Sequence, residues 1–171
     1  MDKSIFCYLY KGLIRPHLEY AAPIWSPHLI KQKEALENIQ RRATRMVPGL
    51  SNMSYPERLE HLKLPTLAYR RTRGDMINVY KIIHGGFDGS IRSMLPLNNT
   101  GRRGNTKKLF IEAHNKPIRK FNFTMRVRKI WNSLPETIVN AENVIEFESA
   151  LDKHWSNQDL LYKDFKSDIT V

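Results

Sequence analysis

Apolar positions recur with helical spacing over most of this chain, and the interruptions are made by proline, glycine and capping residues. A first helix is expected from about Ser4 to Leu13, with Pro16 placed to bend or stop it. Ser26 followed by Pro27 reads as N-cap and first helical residue of a helix to about Val47, with Leu29, Leu36, Ile39, Ala43 and Met46 as its apolar stripe. Pro48 and Gly49 close that helix. Ser54 and Glu57 have capping-box spacing and open a short helix through Leu59 and Leu62 that Pro65 terminates. A long helix extends from Thr66 to His84, with Tyr69, Met76, Tyr80 and Ile83 on one face and Gly85 and Gly86 as its stop. The expectation for residues 1–84 is a helical bundle.

The pattern then weakens. Residues 85–106 hold five glycines, one proline and three asparagines, and read as a linker or loop. Lys107–Ala113 and Arg119–Phe123 are short and aromatic enough to pair as a β-hairpin across His114–Pro117. Helical spacing returns at Phe123, Val127, Ile130 and Trp131. Pro135 restarts the chain, and Asn143 with Glu146 caps a last helix containing Phe147, Leu151 and Trp155. The segment 107–156 is expected to form a basic C-terminal region and 157–171 a frayed tail. The fold class is therefore mainly α, a bundle followed by a small α+β or helical segment.

Charge changes this picture because it is local. The net charge is +11, yet residues 101–130 carry ten basic groups and one acidic, while 131–171 carry three and eight. Such a field attracts polyanions, although a merely solvated basic face has the same composition. At 100° per residue, Arg41 and Arg45 face away from the Leu36–Ile39–Ala43–Met46 stripe with Arg42 at its flank, and Arg70 and Arg71 face away from the next stripe. Guanidinium groups match phosphate oxygens. A third basic element contains Arg102, Arg103, Lys107, Lys108, Arg119, Lys120, Arg126, Arg128 and Lys129, interleaved with Phe110, Phe121, Phe123 and Trp131. Exposed rings there could stack on unpaired bases, whereas Phe123 and Trp131 fit a core role better.

Chemistry beyond binding finds little support in the residues. Cys7 is the single cysteine, so neither a disulfide framework nor a thiolate zinc site can be built, and a reducing compartment is expected. No paired aspartates occur in the basic body, the six histidines never recur at ligand spacing, and Asp75 and Asp88 look isolated. Glycine-rich phosphate loops and Ser-His-Asp signatures are likewise missing from the sequence. No catalytic residue, metal site or cofactor is expected. The apolar stretch Ile5–Tyr10 is too short for a signal or membrane span, which suggests an intracellular protein, nuclear or cytoplasmic.

Four segments together resemble a known family: LYKGLIRPHLEYAAPIWSP (9–27), LENIQRRATRMVPGL (36–50), SYPERLEHLKLPTLAYRRTRGDMINVYKIIHG (54–85) and FTMRVRKIWNSLPETIVNAENVIEFESALDKHW (123–155). In this order they look like the region downstream of the polymerase core in non-LTR retrotransposon reverse transcriptases of the jockey-like group. The resemblance implies a thumb-like bundle followed by the family's carboxy-terminal domain. It implies a fragment of an RNA-directed DNA polymerase without the palm aspartates or the endonuclease, contacting RNA, DNA or their hybrid. Arg41, Arg42, Arg45, Arg70, Arg71 and Arg73 are the positions that carry over as candidate contacts. A relic of a truncated element without a selected function is equally compatible with the resemblance. The alternative is a structural or protein-interaction module that self-associates through an exposed apolar face.

Overall fold

The computed structural model describes residues 2–98, 105–112 and 117–170. The chain is mainly helical, and twelve α-helices and one π-helical turn are found among the described residues. They form two compact units: Met1–Thr72 with Asn157–Ile169, and Arg73–Ser156 with Thr170–Val171.

The first unit opens with α1 (Lys3–Leu9), capped by Asp2, whose carboxylate accepts from the Ser4 amide at 3.0 Å. The helical path continues through a π-helical turn, Tyr10–Ile14, into α2 (Arg15–Glu19). Pro16 therefore does not end the helix. It lacks an amide hydrogen and crowds the carbonyl of the preceding turn, and the wider π turn just before it absorbs that misfit. Phe6 on α1, Tyr10 in the π turn and Leu18 on α2 mark the inward positions of this path. All three side chains are buried.

A short α3 (Ala22–Trp25) ends at Ser26, so the expected cap at Ser26 and Pro27 does not start the next helix. α4 runs Ile30–Arg45 and begins from Leu29 without a side-chain cap. Its buried face is not the apolar stripe expected from spacing. Glu37, Gln40, Ala43 and Thr44 are buried, whereas Leu29, Ile39 and Met46 are 53%, 43% and 74% exposed. The polar residues win because they find partners. Tyr10 Oη donates to Gln40 Oε1 at 2.6 Å, Gln40 Nε2 donates to Tyr55 Oη and to the Pro65 carbonyl, and Tyr55 Oη donates to Glu37 Oε2 at 2.6 Å. Glu37 Oε1 accepts from the Ala68 amide at 3.1 Å. A satisfied buried network costs far less than an unpaired polar group.

α5 (Tyr55–Leu62) starts at the expected capping box, with both reciprocal hydrogen bonds of Ser54 and Glu57 present. It ends through Lys63, which adopts a left-handed conformation at φ 51°, before Pro65 is reached. Phe6, Tyr10, Ala43, Val47, Leu50, Leu59, Leu62 and Leu64 form the core of this unit, with Tyr162 packed against it. The tail expected to fray is part of the unit. α12 (Asp159–Tyr162) places the Leu160 and Leu161 carbonyls as acceptors for Thr66 Oγ1 and the Thr66 amide, and Leu160, Phe165 and Ile169 are buried.

The long helix α6 (Leu67–Ile83) contributes to both units and is followed at Gly85 by a left-handed turn, φ 85°. In the second unit α7 (Gly89–Arg92) interrupts the expected linker, and Leu95 is buried beyond it. The expected hairpin is replaced. Leu109 bridges Leu97, while Arg119 and Lys120 close the helical turn α8 (Pro117–Lys120) and Phe123 opens α9 (Phe123–Ser133). His114, Asn115 and Lys116 of the expected turn lie outside the described residues. The Leu109 strand position is held instead by α9, whose Asn132 side-chain amide accepts from the Leu109 amide and donates to its carbonyl at 2.7 and 2.9 Å. A side-chain amide can supply both functions of a missing strand neighbour. α10 (Glu136–Val139) and α11 (Val144–His154) complete the unit; Tyr80 stacks on Phe147 at 4.5 Å, and Trp131 lies 5.9 Å from the same ring.

Candidate nucleic-acid interface

Several of the cations that composition offers as ligands for phosphate are engaged within the protein among the described residues. Arg70 makes a two-pronged ion pair with Glu19, its Nη2 donating at 2.9 Å. Arg71 is buried beside Glu37. Arg41 is half-buried, donates to Asn38, and lies over the rings of Tyr55 and Phe165 at 4.9 and 5.9 Å. In the second unit Arg73 donates to Asp152 at 2.6 and 2.9 Å and to Glu148 at 3.1 Å. The Asp152 hydrogen bonds above all hold its guanidinium strongly protonated. Arg126 binds both oxygens of the buried Asp75 at 2.8 and 3.0 Å and covers the Phe123 ring. In Arg70, Arg73 and Arg126 a two-pronged ion pair occupies one edge of the guanidinium and ties it to the protein.

Arg128 is also buried, and no hydrogen-bond partner is found for its Nε and Nη1 among the described residues. Burial, opposed by Glu112 and assisted by Arg119, lowers its pKa. Lys107 is half-buried and hydrogen-bonds His84 Nε2 at 2.6 Å; Lys108 is half-buried, and Lys129 is exposed. Arg102 and Arg103 lie outside the described residues. Of the rings, Trp131 is fully buried and donates from Nε1 to the Lys107 carbonyl at 2.8 Å, whereas Phe110 is exposed.

Among the described residues, one outward group of cations lies along an edge of α4. Arg42 and Arg45 are exposed, and no hydrogen bond or ion pair is found for either among the described residues. Lys31, Asn38, Arg42 and Arg45 fall within about 60° of arc and extend over about 21 Å of helix axis. Lys31, which charge counting alone did not single out, belongs to this edge and is exposed. Exposed Ile39 and Met46 border it. Among the described residues no group of three or more His, Cys, Asp or Glu is placed to hold a metal ion, and no helix is long and apolar enough to cross a membrane.

Comparison with models of known protein families, with curated proteins and with solved structures found no match.

Proposed function

We propose that this chain is a non-catalytic, nucleic-acid-binding fragment of a retrotransposon-type RNA-directed DNA polymerase, acting through backbone phosphates with little sequence preference. The observation that carries the binding role is the outward edge of α4, where Arg42 and Arg45 stand exposed while Arg70, Arg73 and Arg126 on other helices are held by carboxylates. The four resembling segments support the polymerase origin, and a thumb-like role for the bundle rests on them alone. Three phosphate contacts, through Lys31, Arg42 and Arg45, set the expected strength. Affinity for duplex DNA should weaken about 40-fold between 50 and 200 mM salt, and affinity for a single strand about 20-fold. Arg42→Ala with Arg45→Ala should reduce that dependence to about fourfold. Binding that ignores salt, or survives the double substitution unchanged, overturns the reading.

A second reading is favoured by a separate observation. Ile5, Tyr8, Leu9 and Leu13 recur at helical spacing on the outward side of α1 and its π turn, and are 55%, 80%, 40% and 63% exposed. Such a face suits self-association with a second copy. Sedimentation equilibrium should then show a concentration-dependent dimer that Tyr8→Glu with Leu13→Glu dissociates.

A further inference from the structure

The hydrogen bond between Lys107 and His84 joins two basic groups, and neither belongs to the basic edge of α4. His84 stacks on Tyr80 at 4.0 Å, and its Nδ1 lies 3.0 Å from the Tyr80 carbonyl, four residues back in the chain. With Nδ1 donating there, Nε2 keeps a lone pair and accepts from the Lys107 ammonium at 2.6 Å. An ammonium ordinarily pairs with a carboxylate. Within 4.0 Å of Lys107 none is found among the described residues.

The charged groups acting on the ring are cations from two other segments. Burial is the largest influence lowering the His84 pKa; the Tyr80 carbonyl opposes it, and Lys107 and Arg92 reinforce it. Arg92 comes from α7 and is exposed. The carboxylates of the neighbourhood act on the partners instead. Glu146 acts on Tyr80, and Glu136 feels Lys107 while its oxygens accept from the Thr106 amide at 2.6 Å, the Thr106 hydroxyl at 2.7 Å and the Asn140 side-chain amide. Protonating His84 in this setting breaks its bond to Lys107 and leaves two adjacent cations, in the field of Arg92, with no carboxylate within 4.0 Å of Lys107 among the described residues.

We propose that His84 and Lys107 form a site for a phosphoryl anion, with Arg92 adding to its positive field, and that the anion enters as His84 takes up a proton from solvent. Nε2–H and the Lys107 ammonium then both donate to the anion's oxygens, replacing the bond between them. The site shares the anion-binding reading of the basic surface but none of the α4 residues. Its ligand chemistry is that of inorganic phosphate or of a nucleic-acid backbone. Because binding and protonation are linked, each must favour the other.

The test follows the His84 ring by NMR on the full chain with labelled histidine, the signal assigned with His84→Gln. Titrations from about pH 5 to 8 are run in chloride and in inorganic phosphate of equal ionic strength. Phosphate should raise the His84 midpoint by about half a unit or more. Lys107→Gln and Arg92→Gln, each checked for an unchanged fold by circular dichroism, should each diminish that rise. Coincident midpoints in the two anions, or a full rise persisting in both variants, overturn the inference.

A short single-stranded oligonucleotide, added to the Arg42→Ala, Arg45→Ala protein, separates the ligand sources. A midpoint rise with oligonucleotide assigns the site to a backbone phosphate. A rise with phosphate alone assigns it to free phosphate, and the site then stands even if the α4 edge binds nothing. No rise with either sinks the site while leaving the α4 reading intact.

Discussion

The fate of each arginine is decided by the groups within reach of its fork. Arg126 and Asp75 are 51 residues apart in sequence, yet meet in a two-pronged pair whose carboxylate is buried. Removing Asp75 strands a charge in a poorly solvated position. Asp75→Ala should cost about 3 kcal/mol in urea denaturation, and adding Arg126→Ala should recover part of that loss. Glu37 poses the opposite problem. Burial raises its pKa, against hydrogen bonds from Tyr55 and the Ala68 amide and the charge of Arg71. A raised carboxyl binds its proton more tightly when folded, so its contribution to stability is present in acid and declines as pH rises through the window above 4.5. In Glu37→Gln that decline should vanish, which denaturation midpoints measured across the window will show.

Helix boundaries divide into those set by local chemistry and those set by packing. The capping box at Ser54 and Glu57 forms as spacing predicts, because both partners are three residues apart and need no distant contact. Ser54→Ala should destabilise the chain by about 1 kcal/mol. Asn143 accepts from the Glu146 amide at 2.9 Å, but Glu146 turns to the Glu142 amide at 3.0 Å and not back to its cap. Where α5 ends, Lys63 occupies a left-handed conformation that glycine adopts without penalty. Lys63→Gly should therefore raise stability by about 0.5 kcal/mol in the same denaturation assay, the relief of strain outweighing the added chain entropy. The polar face of α4 lay beyond such local rules. Glu37, Gln40 and Thr44 sit at helical spacing, but nothing local distinguishes a buried polar stripe from a solvated one.

At the scale of the whole molecule, a net charge of +11 coexists with extensive internal pairing. The acidic α11 takes up Arg73 through Glu148 and Asp152, so part of the basic surplus is neutralised by the segment with the opposite balance. Binding to polyanions should accordingly be weaker and less dependent on salt than six free arginines would produce. Isothermal titration at 50 and 200 mM salt checks this directly. A roughly 10³-fold loss of affinity across that range would show that paired arginines such as Arg73 and Arg126 open to the ligand.

The sequence alone determined that the chain is mainly helical, where the capping box stands, and that Gly85 ends the long helix, since these depend on residues within a turn of one another. It also determined the excess of basic groups. Tertiary structure decided which cations stay outward, because Arg70, Arg73 and Arg126 meet their carboxylates across 51 to 79 residues of chain. It likewise decided that Arg119–Phe123 is not a strand and that the terminal segment packs, through Leu160 and Phe165. Hydrophobic spacing reports only local faces, whereas pairing and burial depend on which distant segments the fold brings together.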